Sequence, residues 1–589
     1  MSALLLTALA AATPNKVRRS LDLPDFEAKA GARWKVAVEM PDGTPLHTVV
    51  ALPKGDGPWP VVFLRSPYPI DRYLDRLCAR YVRYAYACVH QNVRGQGASG
   101  GSEWDPLRYE RADGLAALDW IIEQPWSDEN IALMGVSYMA GAQWAMADVL
   151  PPQVKTIIPS VFGADMYHNA YEGGLFRHEL VTAWMTLIPD RRFRPFAGRF
   201  YQRALDHRPR READQIAAGV TVPWYQEWMD AQERGGEFWQ SEELQLTARI
   251  PENTTVPVLM MGGWSDIFIG TQLSTWQRLG SQPDSTLVIG PWDHLGRSAS
   301  DVPLANIDDE IGLQDTYNQA RRILDWLDHH LKGRPAVFPV GQTLAYTMGA
   351  DAWHVAPSWP PPTQPLTFRL GDGDAAGCTA PLTDTDGQPT NYVYDPADPT
   401  PSMGGAGSIA GILSPGFEGI PIGLIDQGSL CADRPDMLGW QSDPLAAPVR
   451  IAGRVSATLT VSSTAEDTAF NIRIAEVRSD GTVLHVREGI RALSFRRGDD
   501  HAVSYTPGEA VSLTIETWPI DFQFQAGSRI RIELASASFP KFEAHTNTAV
   551  YWADAVETVP ATQTIHAAAI TLPAVGEAAM SSADESHQP

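Results

Sequence analysis

The run NIALMGVSYMAGAQWAMADVL occupies residues 130–150. Its first part, IALMG, is an apolar run of strand length, and from Tyr138 to about Leu150 the spacing becomes helical. Ser137 stands between the two, two residues after Gly135. That context predicts a nucleophile elbow, a sharp strand-to-helix turn that lifts a serine hydroxyl above the edge of a sheet. Gly-x-Ser alone carries little weight, since the chain also contains GAS at 97–99, GGS at 100–102 and GWS at 263–265. The general pattern also wants glycine at 139, where this chain has Met139.

Strands and helices alternate on both sides of this run. Upstream, WKVAVEM, HTVVALP, PVVFLRSPY (60–68) and YAYACVHQNV (84–93) read as strands, and YERADGLAALDWIIEQ (109–124) as a helix with Leu115, Leu118, Ile121 and Ile122 on one face. Downstream, between about Pro151 and Pro251, the chain becomes rich in Trp, Arg and Glu at helical spacing and reads as a helical insertion. The alternation resumes at PVLMMGGWSD (257–266) and STLVIGPWDH (285–294) and closes with the helix DTYNQARRILDWLDHHLKG (315–333). Such alternation implies a parallel sheet covered by helices. After the proline-rich AWHVAPSWPPPTQPL everything is strand-like, including VRIAGRVSATLTVSS (449–463), a hairpin turning at Asp480-Gly481, and SRIRIELASAS; a β-sandwich or jelly roll is expected. The expected units are therefore 21–150 with 251–345, an inserted helical cap at 151–250, a β-domain at 346–575, a signal-like or disordered start at 1–20 and a disordered tail at 576–589.

Composition narrows the partners. A chain of 589 residues with net charge −24 lacks the clustered cations that nucleic acid or an anionic membrane requires. It contains no run of eighteen apolar residues, so no membrane span is expected. The start MSALLLTALAAATPNK has an apolar stretch ending in small residues but no preceding Lys or Arg. A periplasmic or secreted location is favoured over a cytoplasmic one. Cys78, Cys88, Cys378 and Cys431 show no metal-ligand spacing. They are read as isolated buried thiols, with a Cys78–Cys88 bridge as the alternative. No metal and no cofactor is expected, and self-association is compatible with the sequence.

A serine hydroxyl needs a base and an orienting carboxylate, which in this architecture follow in the order acid then histidine, each after a later strand. Asp266 follows VLMMGGWS and His294 follows TLVIGPWD. Asp293 competes for the acid role, but a sequence neighbour usually points away, so Asp266 is preferred. The backbone N–H of Tyr138 is the expected first oxyanion donor. The loop after the early strand, FLRSPYP, has no glycine-rich donors, and the Tyr68 phenol is the candidate for the second.

GVSY, GGWSDIF, GPWDH and RSPY, in this order, resemble the cocaine esterase-like (CocE/NonD) hydrolases, relatives of X-Pro dipeptidyl peptidases and α-amino acid ester hydrolases. VRGQGAS, DWLDHHLKG and AGSRIRIELASASFPKF extend the resemblance over roughly residues 34 to 550. It implies an α/β-hydrolase domain with an inserted helical cap and a C-terminal jelly-roll domain. It implies Ser137 as nucleophile, Asp266 as acid, His294 as base, and Tyr68 with the Tyr138 N–H as oxyanion hole. Phe268 and Trp184 fall where the family lines its acyl pocket, Trp184 serving equally as a cap-core residue. Four positions depart from the family: Ala140 in place of glycine, Asn92 in place of aspartate, and Phe268 and Ile269 where α-amino acid ester hydrolases hold the substrate ammonium with acidic residues. Asp165 and Glu172 could supply charge by another route, though they read more simply as solvated cap residues. The expected function is hydrolysis of small-molecule carboxylic esters with an apolar or aromatic acyl group, amides being included. The rivals are an acylase, amidase or X-Pro dipeptidyl peptidase, and a carbohydrate-binding protein whose hydrolase half is silent.

Overall fold

The computed structural model describes residues 23–189, 198–279, 282, 284–297, 313–406, 409 and 420–576. The expected start at 1–20 and the expected tail from 577 onward lie outside the described residues. Ten strands form one sheet: β1 (Ala30–Glu39), β2 (Pro45–Pro53), β3 (Trp59–Ser66), β4 (Ala87–Asn92), β5 (Ser127–Val136), β6 (Val154–Ser160), β7 (Leu259–Ser265), β8 (Thr286–Asp293), β9 (Thr343–Thr347) and β10 (Ala352–Ala356). Their spatial order is β1-β2-β4-β3-β5-β6-β7-β8-β9-β10. The pairs from β4 through β9 are parallel, and β1, β2 and β10 are antiparallel additions at the edges. Parallel strands are covered on both faces and so read as unbroken apolar runs; β3 and β7 are buried along nearly their whole lengths.

The helices α1 (Asp71–Arg83), α2 (Glu110–Ile122) and α3 (Tyr138–Trp144) make the first crossovers. The chain passes from β3 to β4 on one side and then returns to β5 on the other. Ligands of open α/β sheets bind at such a switch point, beyond the carboxyl ends of the strands. Tyr68 and Ser137 follow those two adjacent strand ends.

Four local readings change. The helix expected to reach Leu150 stops at Trp144, and turns carry the chain toward Pro151-Pro152. The stretch VKTIIPS, inside the segment read as helical, is β6 of the main sheet, a strand too short to stand out beside the long Trp- and Arg-rich region after it. At the other end β10 keeps residues up to Ala356 in the first sheet. The cysteines are not isolated thiols: Cys78 on α1 is bonded to Cys88 on β4 (Cα–Cα 5.2 Å), and Cys378 to Cys431 (Cα–Cα 6.2 Å). The second pair joins residues 53 apart, and nothing in their spacing signals it.

Between β6 and β7 lie the cap helices α4 (Met166–Ala170), α5 (His178–Leu187), α6 (Gly198–Asp206), α7 (Ala213–Ala218), α8 (Pro223–Asp230) and α9 (Glu242–Arg249). Their core is aromatic: Trp184 lies 4.8 Å from Trp224 and 5.8 Å from Trp228. Ring pairs of this kind contribute roughly 0.5–1.5 kcal/mol beyond the area they bury. Helices α10 (Ile269–Arg278) and α11 (Leu313–Lys332) follow β7 and β8.

Among the described residues the second half is predominantly β, twelve strands in one hydrogen-bonded network with a single-turn helix at Leu430–Asp433. Those used below are β11 (Ala469–Val477), β12 (Val483–Ala492) and β13 (Arg529–Ala535), which pair antiparallel in the order β12-β11-β13. The β11–β12 hairpin turns at Asp480-Gly481, where Arg478 N–H donates to the Thr482 carbonyl at 2.9 Å. Buried and half-buried charges join the halves. Glu543 accepts from Arg208 (2.6 Å) and Arg210 (2.8 Å) of the cap, and His168 of α4 lies between Asp165 (2.7 Å) and Asp499 (3.2 Å). Among the described residues no helix is long and apolar enough to cross a membrane.

Candidate active site

Ser137 has φ 56° and ψ −131°, a conformation that costs a non-glycine residue roughly 1–3 kcal/mol and must be held by its surroundings. Its N–H donates to the Ser160 carbonyl on β6 (3.0 Å), and its carbonyl accepts from Ala140 (2.8 Å) and Gly141 (3.2 Å). Gly135 is required by the return of the chain: a Cβ there would stand 2.4 Å from that of Met139. Ala140 is fully buried without conflict, and the tight approach falls one residue later, where a Cβ on Gly141 would come 2.9 Å from Phe162.

Asp266 and His294 meet because β7 and β8 are parallel neighbours whose register shifts by one residue between Gly290 and Asp293. Ser265 lies opposite Asp293, so the next residue of each strand emerges at the same height. His294 Nδ1 is 2.6 Å from Asp266 Oδ2, and the other carboxylate oxygen accepts the Phe268 N–H at 2.7 Å. An ionised carboxylate only accepts, so Nδ1 carries the proton and Nε2 keeps its lone pair. Both groups are buried. Asp293 is occupied elsewhere: its oxygens take the N–H groups of Leu295 (2.8 Å) and Arg297 (3.0 Å) and the Arg297 guanidinium (2.8 Å). It braces the turn that carries His294.

The Tyr68 phenol, pushed up to about 12 by burial and drawn partly back by hydrogen bonding to Ser137, faces the serine hydroxyl. The Trp184 indole nitrogen faces the same phenol but makes no hydrogen bond of ordinary geometry. Tyr138, as the first helical residue, has an N–H with no partner inside its own helix. Its side chain is fixed behind the site, where the phenol donates to Glu110 Oε1 (2.8 Å) and accepts the Leu107 N–H (2.9 Å). Burial holds Glu110 above the usual carboxylate range, against the pull of Arg65, whose Nη1 lies 2.6 Å from Oε2.

Ser137, Tyr68 and Tyr138 line a cavity of about 40 Å³ whose walls include Phe162, Met166, Leu180, Trp184, Trp228 and Phe268. The Phe268 ring is 5.6 Å from that of His294 and so joins the cavity to the Asp266–His294 pair. Trp184 thus both lines the cavity and packs in the cap core. No carboxylate is among the described lining residues. Asp165 is bonded to His168, and Glu172 accepts from the Trp518 indole at 2.8 Å, so neither is a free solvated charge. Asn92 donates its amide to Asp71 at 2.9 Å, a bond that aspartate at 92 could not make while both were ionised. Among the described residues no cluster of His, Cys, Asp and Glu could hold a metal ion.

The sequence reading did not single out two buried guanidiniums at the acid loop. Arg177 Nη2 donates to the Ile267 carbonyl (2.6 Å), and Arg487 Nη1 to that of Trp264 (2.9 Å). No local motif signals them, because each lies far in sequence from the residue it holds.

Residues 42–296 match the family model described as X-Pro dipeptidyl-peptidase (S15 family), and residues 341–571 the one described as X-Pro dipeptidyl-peptidase C-terminal non-catalytic domain. The chain is 32% identical over 556 residues to the cocaine esterase of Rhodococcus sp. (strain MB1 Bresler), covering 87% of this chain and 92% of that one. It is 27% identical over 552 residues to a putative serine esterase of Mycobacterium tuberculosis (strain CDC 1551 / Oshkosh), covering 82% and 84%. Among solved structures, an α-amino acid ester hydrolase superposes with TM-score 0.77 at 22% identity, covering 96% of this chain and 99% of that one. An aminopeptidase from a marine sediment archaeon, Thaumarchaeota archaeon, superposes with TM-score 0.76 at 23% identity, covering 96% and 98%.

Proposed function

The chain belongs to the cocaine esterase-like family of serine hydrolases, and from that premise we propose that it cleaves carboxylic esters with an apolar or aromatic acyl group, with Ser137, Asp266 and His294 as its triad. The observation that carries the reading is the strained serine facing the Tyr68 phenol at the switch point, with a histidine oriented by a buried carboxylate across Phe268.

The chemistry follows from the geometry. His294 Nε2 takes the Ser137 proton as Oγ attacks the ester carbonyl, and Asp266 stabilises the imidazolium that forms. The Tyr138 N–H and the Tyr68 hydroxyl donate to the oxyanion. The imidazolium then protonates the departing alkoxide, leaving an acyl-enzyme. Water, deprotonated by His294, adds to the acyl carbonyl, and Ser137 leaves with the proton returned by the imidazolium. The cavity walls suit an apolar acyl group, and with no carboxylate among the described lining residues a substrate ammonium has no counter-charge there.

Amide cleavage uses the same residues, and the match of residues 42–296 to the X-Pro dipeptidyl-peptidase model supports it as a second reading. The test compares wild type with Ser137→Ala on an aromatic acyl ester, its anilide and an Xaa-Pro anilide. Ester turnover abolished by the substitution supports the esterase reading. Turnover chiefly of an anilide moves the name to acylase or peptidase, and turnover that survives Ser137→Ala refutes the triad. Absence of labelling of wild type by a phosphonate would favour a silent, carbohydrate-binding protein instead.

A further inference from the structure

We infer that Arg487, from the all-β domain, is a positioning residue for the acid of the triad. The inference rests on the reading of Asp266 and His294 given above. Asp266 sits in the short link between β7 and α10, with its side chain turned toward His294 and the carbonyls of Trp264 and Ile267 on either side of it in sequence. Those carbonyls are taken by charged donors from two other parts of the chain. Arg487 Nη1 on β12 holds Trp264 at 2.9 Å, and Arg177 Nη2, at the start of α5 in the cap, holds Ile267 at 2.6 Å.

Three observations separate this from ordinary packing. First, the register of β12 against β11 shifts between His485 and Arg487, so that Val486 is the extra residue of a bulge. A bulge re-aims the side chain beside it, and such bulges gather next to active sites. Second, Arg487 is buried with Nε and Nη2 unpaired, so among the described residues the Trp264 carbonyl is the protein acceptor its guanidinium has. That hydrogen bond is directed at the end of β7, two residues before Asp266. Third, the Trp264 side chain is anchored as well, its indole donating to the Tyr346 carbonyl at 2.5 Å, so the Arg487 bond acts on a held strand end that leads directly into Asp266. Burial lowers Arg487 to about 9 and Arg177 to about 10, and the Asp266 carboxylate is among the charges that draw Arg177 back up.

The chemistry requires Asp266 to stay within hydrogen-bond reach of Nδ1 while His294 exchanges protons on its other side. Without the donor at 487, the Trp264 carbonyl at the end of β7 loses its guanidinium partner, and the link carrying Asp266 is free to rotate away.

The test measures kcat and KM per phosphonate-titrated active site for wild type, Arg487→Met and Arg487→Lys, with Tm recorded beside them. Arg487→Met is expected to lose about 10- to 100-fold in kcat at unchanged KM, the scale of a displaced catalytic group, and Arg487→Lys, which keeps a charged donor, to recover most of it. Should the Met variant not fold, Arg487→Gln replaces it with the same expectation. Variants that lower Tm but turn over like wild type per titrated site, or a Lys variant as slow as the Met variant, would overturn the inference. A wild type that phosphonate does not label would instead sink the serine-hydrolase reading on which it stands.

Discussion

Tyr68→Phe keeps the ring at the end of β3 and deletes one hydroxyl. Burial holds that phenol up to about 12, so it is a neutral donor at any pH at which an ester can be assayed. It is one of two proposed donors to the oxyanion, and removing one such donor typically costs about 10²–10³ in kcat, roughly 3–4 kcal/mol. Part of that is offset here. The same hydroxyl interacts with Ser137 in the resting enzyme, and an interaction present in the ground state adds nothing to kcat when it persists in the transition state. The expected loss is therefore nearer the lower end, about 100-fold in kcat per titrated site, with KM changed by no more than about threefold. Steady-state kinetics on one aromatic acyl ester, with Ser137→Ala as the blank, reads both constants. A kcat within about threefold of wild type would refute Tyr68 as an oxyanion donor. A wild-type activity loss centred near pH 10, the ordinary tyrosine value, that disappears in Tyr68→Phe would contradict the raised phenol while supporting its role as a donor.

Three further outcomes follow from the geometry. Burial works against a charged His168, but Asp165 and Asp499 outweigh it and hold the imidazole up to about 10. The stabilisation is thus complete below about pH 6.5, the unfolded value, and is lost as pH rises toward 10. The Tm gap between wild type and His168→Gln should be wide at pH 6 and narrow near pH 9.5, and a gap independent of pH removes the clamp from consideration. Cys378→Ser opens a cross-link between residues 53 apart, worth about 4 kcal/mol in the chain-entropy account; its Tm should fall, and dithiothreitol should then lower wild type more than the variant. Four titratable thiols in the unreduced, denatured protein would contradict the bridges. Trp184→Ala enlarges a cavity of about 40 Å³, so kcat/KM for a bulky acyl ester relative to its acetyl counterpart should rise about tenfold, the scale of pocket discrimination. An unchanged ratio would place the acyl group elsewhere.

The sheet was legible because parallel strands bury both faces, so IALMG, PVVFLRS and VLMMGGWS stand out as apolar runs even without alternation. The closeness of Asp266 and His294 was legible in part: each follows the end of a neighbouring parallel strand, but the one-residue register shift after Gly290 that brings them level has no signal in the sequence. VKTIIPS was lost because a seven-residue strand carries little signal beside a hundred residues of helical spacing. The Cys378–Cys431 bond, and the arginines at 177 and 487, depend on the packing of distant segments, for which no periodicity exists to be read. Ala140 and Asn92 illustrate the converse. Each departs from the family pattern, and the structure accommodates the change through a neighbour, Gly141 for one and Asp71 for the other.

The hydrogen bond from residue 487 to the carbonyl of residue 264 also bears on the order of synthesis. A chain made from its N-terminus exposes serine, aspartate and histidine long before the strand bearing Arg487 has left the ribosome. Until that strand docks, the Trp264 carbonyl has no guanidinium to meet, and the nascent hydrolase half carries its chemical groups without their final alignment. On the positioning role inferred for Arg487, a chain broken off before that strand would be a poor hydrolase.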